Sequence, residues 1–495
     1  MKRRQTHLAP PHAPAATRLR AGGFLLGLIV LCLTAGKSPA AEPATPGKPN
    51  VLFIAIDDLN HWVGYLGRNR QTKTPHIDRL AARGVWFTRS YCPAPVCNAS
   101  RAALMSGLRP SSTGVYDNRN DWRTVIAADL PLTTAFRKAG YYVCGAGKIY
   151  HDAYRRPSEW DDYLEKDGRD PRPTGDTGVG GIQFAPLDCR DEDLRDYRIV
   201  DYGIEQLKKK HDRPFFLAVG LHKPHMPWNV PRKYYDLHPL NGIELPPYRE
   251  NDLEDLPPAA IRMARPEGDH AAMLRSGRWK EAVQAYLATI SFCDAMVGRL
   301  LETFDKSAYR DNTIVVFWSD HGWHLGEKQH WRKFALWEEA TRAPFIWIVP
   351  GLTAANSRCD RAVDFMCIYP TLAELCGIPI PKHVQGASIR SLLADPAAPW
   401  DKPALTTYRY MNHAVRSEGW RYIRYADGGE ELYDEARDPY EWTNLASKPE
   451  AAAQKDELGK WLPKENRPDI GGPKGAGTEK GMAKPKRKRA ARPKF

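Results

Sequence analysis

Acidic side chains occur at two points of the sequence where an apolar segment ends. Asp57 and Asp58 follow the run Val51–Ile56, and Asp320 and His321 follow a second apolar run. Two adjacent carboxylates repel each other unless a proton or a cation neutralises them. Ca²⁺ takes about six to eight oxygen ligands, so the two pairs predict a site for a hard divalent cation. His is a poor Ca²⁺ ligand, and His321 is expected to contact either the metal or the substrate.

A cysteine and a series of basic side chains form a second set of candidates. Cys97 precedes Arg101 by four residues in a small-residue run that predicts a helix, so one turn brings both side chains to one face. Catalysis on a group whose negative charge is spread over several oxygens requires cations and hydrogen-bond donors around it. Taken singly, such residues are usually buried hydrophobes, surface lysines or satisfied histidines, so only their joint occurrence points to a site. The further members of the set are Lys148, His151, His222, His225 and Lys333.

Predicted strands and helices place these side chains at a common edge. The candidates directly follow apolar runs, and ligand sites in open α/β sheets form at the carboxyl ends of strands. Strand-like runs alternate with helical patterns, which indicates an α/β sheet with helices on both faces. The predicted strands are Val51–Ile56, Tyr141–Cys144, Phe215–Val219 and Thr313–Trp318, and the predicted helices are Thr74–Gly84 and Trp279–Phe304.

The chain changes character at about residue 401, which divides a large domain over residues 41–400 from a small subdomain over 401–463. The subdomain is predicted to be an antiparallel sheet. Its alternating runs are Thr406–Tyr410, Ala414–Arg416 and Arg421–Tyr425. Residues 464–495 are rich in Gly, Pro, Lys and Arg without an apolar period, and are expected to be a disordered basic tail. This tail is either simply solvated or an arm that binds a polyanion.

The formal charge of +13 is located at the ends of the 495-residue chain. Residues 1–41 carry six Lys or Arg and no acidic residue, and residues 464–495 carry eleven Lys or Arg and three acidic residues, which leaves −1 for residues 42–463. The nearly neutral body does not favour nucleic acid as a partner. A hydrophobic fraction of 42% is sufficient for a packed core.

Residues 1–40 have the pattern of a secretory signal peptide. A basic stretch ending at Arg20 precedes the apolar run Phe24–Ala35, and small residues at 38–40 suit a cleavage site. The apolar run is shorter than the ~20 residues that a membrane span needs. We therefore expect a periplasmic or secreted protein without a membrane span. Export permits disulfides, but the scattered cysteines do not predict a pairing.

Six segments carry a family resemblance. They are Asp57-Asp58-Leu59, Cys97-Asn98-Ala99-Ser100-Arg101, Leu108-Arg109-Pro110 through Thr113-Gly114-Val115-Tyr116-Asp117, Gly147-Lys148 with His151, Leu221-His222-Lys223-Pro224-His225, and Ser319-Asp320-His321-Gly322-Trp323 with Leu325-Gly326-Glu327. Together they resemble the sulfatase family over nearly all of the chain beyond residue 40, and most closely its iduronate 2-sulfatase branch. The resemblance implies an alkaline-phosphatase-like mixed sheet flanked by helices, with a small C-terminal antiparallel sheet. Ala99 stands where the family signature has proline.

The resemblance also implies a cofactor and a modified residue. In sulfatases the signature cysteine, here Cys97, is oxidised after translation to formylglycine. Ca²⁺ then lies among Asp57, Asp58, Asp320 and His321, and an oxygen of the formylglycine hydrate completes its ligand shell.

A role for each remaining candidate follows from the same resemblance. The formylglycine hydrate attacks sulfur through one hydroxyl and forms a covalent sulfate. Arg101 and Lys148 hold the hydrate, and His151 is the base whose action on the second hydroxyl releases sulfate. His222 and Lys333 bind sulfate oxygens, and one of the two protonates the departing sugar oxygen. His225 contacts the substrate.

The expected activity is hydrolysis of a sulfate ester on a sulfated carbohydrate, at the 2-O position of a uronate. The expected partners are a sulfated oligosaccharide and, during export, a formylglycine-generating or sulfatase-maturing enzyme. One alternative is a phosphodiester or phosphonate hydrolase that uses the same nucleophile. A second is a non-catalytic protein that binds sulfated glycans with Cys97 left as a thiol. A two-zinc phosphatase fits less well, because adjacent carboxylates beside an oxidisable cysteine suit one Ca²⁺ better than two zinc ions.

Overall fold

A computed structural model describes residues 47–151 and 154–471, which form one large mixed sheet, a smaller antiparallel sheet and a two-stranded hairpin. The strands are β1 (Asn50–Asp57), β2 (Val85–Tyr91), β3 (Tyr142–Gly147), β4 (Asp162–Leu164), β5 (Phe215–Pro224), β6 (Thr313–Ser319), β7 (His324–Leu325), β8 (Trp331–Arg332), β9 (Phe345–Ile348), β10 (Ser357–Asp364), β11 (Ala404–Thr407), β12 (His413–Arg416), β13 (Trp420–Arg424) and β14 (Glu430–Asp434). The α-helices are α1 (Pro75–Ala81), α2 (Cys97–Ser106), α3 (Pro110–Thr113), α4 (Leu132–Lys138), α5 (Arg195–Lys208), α6 (Arg232–Asp236), α7 (Pro258–Ala264), α8 (Asp269–Ser276), α9 (Trp279–Lys306), α10 (Glu338–Thr341), α11 (Ile368–Leu375), α12 (Arg390–Ala394) and α13 (Ala452–Gly459).

The large sheet has the strand order β10-β2-β9-β6-β1-β5-β3-β4. β9 runs antiparallel to β2 and β6, and the other neighbouring pairs are parallel. Every residue of the central strand β1 is buried, as expected for an apolar strand with both faces covered. Because β1, β5 and β6 are parallel neighbours, their carboxyl ends meet at one edge, where the sequence placed its polar candidates.

Successive residues of β1 point into two separate cores. Leu52 and Ile54 belong to a core with residues of α1, α5 and α9, whereas Phe53 and Ala55 belong to a core with α2, α4 and α11. Each fully buried large apolar side chain contributes roughly 1.5–3 kcal/mol, so the two cores hold the sheet rigidly between its helices. The predicted α/β class is confirmed, and α9 covers the whole of the helix predicted over Trp279–Phe304.

The C-terminal strands form the antiparallel sheet β11-β12-β13-β14. One face packs Ile423 and Tyr433 against Leu336 and Trp337 of the main body. The opposite face packs against α13. The small antiparallel sheet predicted for this region is therefore confirmed, and its inner face is part of a core shared with the main body.

The basic tail begins later than the sequence indicated. Residues 464–471 lie against the main body, because the amide of Arg467 donates to Ser111 O at 2.8 Å and that of Ile470 to Gly114 O at 3.1 Å. The rest of the predicted tail and the predicted signal peptide lie outside the described residues. Among the helices of the described part, none is both long and apolar enough to cross a membrane.

Candidate active site

The pair Asp57-Asp58 and the pair Asp320-His321 meet at the carboxyl ends of β1 and β6. Asp57 is the last residue of β1, and Asp58 follows with a φ of 62°, in the left-handed region that few non-glycine residues adopt. Two hydrogen bonds hold this turn. The Asp58 amide donates to Asp320 Oδ1 at 3.0 Å, and the Tyr286 hydroxyl donates to Asp58 O at 2.8 Å. Strained backbone held in this way is frequent at functional sites.

Cys97 is the first residue of α2, and its thiol is buried in the same cluster. Its Sγ lies 2.9 Å from Lys333 Nζ, 3.3 Å from His321 Nε2 and 3.8 Å from Asp58 Oδ1. Burial raises the pKa of the Cys97 thiol well above its ordinary value, despite the nearby lysines. An unmodified thiol here would therefore be protonated at neutral pH and would be a weak nucleophile.

Arg101 lies one helical turn beyond Cys97 and is completely buried. Its Nε donates to Asp320 Oδ2 at 2.9 Å, and its Nη2 donates to Ile56 O at 3.2 Å. A further hydrogen bond joins its Nη1 to the carbonyl oxygen of Lys148. Arg101 thus links α2 to the ends of β1 and β6, and fixes the direction in which α2 presents Cys97.

Buried lysines neutralise the carboxylates. Lys148 Nζ lies 2.5 Å from Asp57 Oδ2, and Lys333 Nζ lies 2.8 Å from Asp58 Oδ1. Burial raises the pKa of Asp57, but Lys148 and the other cations outweigh it and hold that pKa well below the ordinary value. Burial lowers the pKa of Lys333, yet Asp58 outweighs it and raises that pKa well above the ordinary value, so the ammonium stays charged. For Asp58 itself, burial prevails and raises the pKa.

The donor set fits a divalent cation. Two overlapping groups of ligand atoms each lie within 4.8 Å of one another. They are Asp57, Asp58, Cys97 and His225, and Asp58, Cys97, Asp320 and His321. Asp58 Oδ2 is buried and has no hydrogen-bond partner among the described residues, as expected of an atom that serves a cation. His321 Nδ1 lies 3.0 Å from Gly322 O; donation there leaves Nε2 unprotonated and facing the cluster.

The structure brings His225, and not His222, to the cluster. His225 Nε2 lies 3.8 Å from Asp58 Oδ2, and its Nδ1 lies 2.6 Å from Met226 O. His222 is still part of β5, and its Nε2 lies 3.3 Å from Asp167 Oδ2. The assignment of His222 to sulfate binding is therefore corrected, because β5 extends further than predicted and turns that ring toward Asp167. His225 is the histidine of this segment whose ring lies at the cluster.

His151 follows Lys148 by three residues and is half-buried. Its ring centroid lies 5.9 Å from that of Tyr154. Its role as the base that releases sulfate stays a prediction.

Three residues support the cluster without having been predicted. The Ser100 hydroxyl donates to Asp320 O at 2.6 Å, and Asn98 Nδ2 donates to Asp117 O at 2.9 Å. Tyr286, the third, holds the turn at Asp58 from the middle of α9. The positions of Asn98 and Ser100 between Cys97 and Arg101 were the available signals, because nothing in the local sequence of α9 distinguishes Tyr286.

The arrangement can bind and polarise a group with several anionic oxygens beside a nucleophile at position 97. A sequence profile described as Sulfatase matches residues 49–378. The chain belongs to the sulfatase family. The profile of the C-terminal region of N-sulphoglucosamine sulphohydrolase also matches residues 326–467 of this sulfatase.

Individual relatives agree with this membership. A protein of Formosa agariphila named Sulfatase is 39% identical over 470 residues, covering 90% of this chain and 92% of the relative. Iduronate 2-sulfatase of Mus musculus is 28% identical over 507 residues, covering 84% of this chain and 91% of the relative. The solved structure of a 2-O GAG sulfatase aligns with a TM-score of 0.67 at 24% identity, covering 83% of this chain and 90% of that chain.

These findings confirm three predictions from sequence. The sulfatase is a sulfuric ester hydrolase, it belongs to the predicted family, and its fold is the alkaline-phosphatase-like α/β fold of its structural neighbours. The matched region contains every residue of the cluster described above. These residues are the pairs Asp57-Asp58 and Asp320-His321, Cys97, and the basic side chains around Cys97.

Proposed function

We propose that this sulfatase hydrolyses a sulfate ester on a sulfated carbohydrate, at the 2-O position of a uronate, with formylglycine made from Cys97 and with Ca²⁺. The observation that carries the proposal is the burial of Cys97 Sγ within 3.3 Å of both Lys333 Nζ and His321 Nε2, beside Asp58. The mouse relative named iduronate 2-sulfatase and the structural neighbour named 2-O GAG sulfatase support the choice of substrate.

Four side chains would hold the metal: Asp57, Asp58, Asp320 and His321. Ca²⁺ accepts the three carboxylates readily, and an imidazole nitrogen is its weakest ligand here. The bound ion would supply positive charge that polarises the sulfate and lowers the pKa of the nucleophile.

The remaining residues act on the nucleophile and on the sulfate. Formylglycine, as its hydrate, supplies one hydroxyl that attacks sulfur and a second whose deprotonation lets sulfate leave. Arg101 and Lys148 hold position 97 and contribute positive charge where the sulfate oxygens gain negative charge. His151 accepts the proton of the second hydroxyl. Lys333 and His225 bind sulfate oxygens, and one of them protonates the departing sugar oxygen.

The proposal includes export. The basic, apolar and small-residue pattern of residues 1–40 supports it. A formylglycine-generating or sulfatase-maturing enzyme would then act on Cys97 during export. Purification of the secreted or periplasmic protein and sequencing of its N-terminus test this, because retention of residues 1–40 would contradict it.

Chemical labelling tests the nucleophile directly. A tryptic peptide that contains position 97 is expected to react with an aldehyde-reactive hydrazide and not with a thiol reagent. Cys97→Ala is expected to abolish sulfate release and leave the far-ultraviolet circular dichroism unchanged. Cys189→Ala, at a half-buried thiol outside the cluster, is the matched control and keeps activity. An unmodified thiol at position 97 in a fully active protein would contradict the proposal.

Metal removal and substrate choice complete the test. Treatment with a chelator is expected to abolish activity, and Ca²⁺ is expected to restore it. Rates on aryl sulfate, aryl phosphate and aryl phosphonate esters separate the sulfatase from the phosphodiester or phosphonate hydrolase. Binding of a sulfated disaccharide without turnover would favour the non-catalytic alternative.

A further inference from the structure

The loop between β11 and β12 presents exposed side chains in an unusual backbone conformation. Tyr410 and Met411 are 41% and 40% exposed, and Arg409 is exposed as well. Arg409 and Met411 both have positive φ values, 58° and 61°. Such residues cost about 1–3 kcal/mol each, and they cluster at ligand-binding segments. The loop therefore holds its backbone at positions 409 and 411 in this conformation at an energetic cost.

Phe334 brings this loop close to the nucleophile. Phe334 directly follows Lys333, whose ammonium contacts Cys97. Its amide donates to Pro95 O at 3.2 Å, which ties it to the segment that leads into α2. Its ring centroid lies 6.3 Å from that of Tyr408, the first residue of the loop. The hydroxyl of Tyr408 accepts a hydrogen bond from Arg409 Nε at 3.3 Å.

A second path of contacts leads to the same place. Asn98, the neighbour of Cys97, donates through Nδ2 to Asp117 O at 2.9 Å. The Asp117 carboxylate pairs with Arg119 at 3.0 Å and lies within electrostatic reach of Arg409. Two series of contacts therefore connect Arg409 to the surroundings of Cys97. One includes Lys333, and the other includes Asn98.

The charges around the loop favour an anion. Arg265 acts electrostatically on Tyr408, and Arg119 acts on Arg409. The carboxylate of Asp117 acts on both Tyr408 and Arg409. In the part of the chain that the structure describes, no carboxylate lies within salt-bridge distance of Arg409, whereas Arg119 is already paired. Arg409 Nε donates to Tyr408, and its two Nη groups can therefore serve a bidentate oxyanion.

We propose that Arg409, with Tyr410 beside it, forms a specificity subsite for a second anionic group of the sulfated glycan. That group is the carboxylate of the uronate or a second sulfate on the adjoining sugar, since both present the oxygen pair that a guanidinium binds. The inference rests on the proposed function, because it assumes that a sulfate ester occupies the cluster at Cys97. It adds that substrate choice depends on a residue of the small C-terminal sheet.

The experiment compares substrates that differ in one anionic group. They are a 2-O-sulfated uronate disaccharide, its uronate methyl ester, the same disaccharide with a second sulfate on the adjoining sugar, and a simple aryl sulfate. The wild type is expected to prefer the acid to the methyl ester, or the doubly sulfated to the singly sulfated sugar, by about tenfold or more in kcat/KM, the worth of a charge-assisted hydrogen bond. The pair that shows the preference identifies the bound group.

Variants at the loop decide the inference. Arg409→Ala is expected to reduce the ratio of the two kcat/KM values to nearly one. Arg409→Lys is expected to give an intermediate ratio, because lysine keeps the positive charge but lacks the paired donors of the guanidinium. Arg437→Ala, at an 89% exposed guanidinium near the C-terminal sheet, is the control and keeps the wild-type ratio. An unchanged ratio in Arg409→Ala would overturn the subsite. Absence of sulfate release by the wild type from every ester, the aryl sulfate included, would contradict the proposed function instead.

Discussion

The ring of His225 shows how the end of a strand decides which side chain reaches the cluster at Asp58. His222 and His225 are three residues apart and chemically identical, but His225 lies beyond the last residue of β5 and its Nε2 faces Asp58. His222 is a strand residue whose ring meets Asp167. Which histidine reaches the carboxylates of the cluster therefore depends on where the strand ends.

The two histidines are expected to differ in mutational effect. His225→Ala should lower kcat/KM for sulfate release about 100-fold, within the usual range for a group that transfers or orients a proton. His222→Ala should lower it less than tenfold, because it removes only a contact with Asp167. Steady-state kinetics on an aryl sulfate measure both. A larger loss in His222→Ala than in His225→Ala would show that the assignment is reversed.

Asp196 of α5 connects a helix to the segment that carries His225. Its Oδ1 accepts the amide of His222 at 2.9 Å, and its Oδ2 accepts that of Lys223 at 2.8 Å. The carboxylate is completely buried. A side chain of α5 thus binds two backbone amides at the end of β5, directly before His225. Asp196 is therefore a positioning residue for His225.

Replacement of Asp196 is expected to affect activity beyond its effect on folding. Asp196→Ala leaves two buried amides without acceptors, which should cost about 1–3 kcal/mol for each. It should also lower kcat for sulfate release, measured well below the melting temperature, with a smaller change in KM. Asp201→Ala, on the same helix, removes a surface pair with Arg299 and is the control. Equal kcat in Asp196→Ala and Asp201→Ala would restrict Asp196 to a structural role.

Asp294 of α9 likewise accepts hydrogen bonds from backbone amides, here at the start of α1. Its Oδ1 accepts the amides of His76 and Ile77 at 3.1 and 2.8 Å, where α1 has no side-chain cap of its own. Burial raises the pKa of Asp294 to about 7. The folded protein therefore holds a proton on this carboxyl group at a pH where the unfolded chain has released it.

This shift predicts a pH dependence of stability. Between about pH 4, the ordinary pKa of Asp, and about pH 7 the folded state binds the extra proton, so the contribution of Asp294 to stability falls as the pH rises through that window. Asp294→Asn should flatten the change of the urea midpoint between pH 5 and pH 8. Asp305→Asn, further along α9, controls for the loss of an acid on this helix. The same slope in wild type and Asp294→Asn would refute the prediction.

At the scale of the molecule, a buried network of charges joins the small sheet to the main body. Arg421 of β13 is completely buried. It pairs with Glu338 of α10, with Glu435 at 3.1 Å and with Glu441 at 2.6 Å. Its Nη1 also donates to Leu336 O at 2.9 Å. These contacts hold the C-terminal sheet beside the segment that contains Lys333.

Loss of Arg421 is expected to weaken the whole structure. Arg421→Leu removes the guanidinium that pairs with the buried Glu441 carboxylate, and breaking a buried ion pair in this way typically costs about 3–5 kcal/mol. Urea unfolding followed by tryptophan fluorescence should show a lower midpoint. Arg424→Leu, at an exposed position of the same strand, should leave the midpoint nearly unchanged. A midpoint for Arg421→Leu equal to that of the wild type would show that the network does not couple the two parts.

Local sequence by itself determined the elements and most members of the cluster. The apolar period of β1, β5 and β6 predicted buried parallel strands, and parallel strands bring their carboxyl ends to one edge. The helical spacing of Cys97 and Arg101 placed both on one face. The residues that were predicted and that meet in the structure are Asp57, Asp58, Cys97, Arg101, Lys148, His225, Asp320, His321 and Lys333.

Only the tertiary structure decided how that cluster is held and which residues surround it. Asp196 contacts His222, which lies 26 positions further along the chain. The amide of Arg467 bonds to Ser111, which lies in a distant part of the sequence. Such contacts leave no periodic pattern, because they depend on how separate elements pack and not on the local preference of either segment. The exclusion of His222, the late start of the tail and the contact of Phe334 with Tyr408 all follow from packing of this kind.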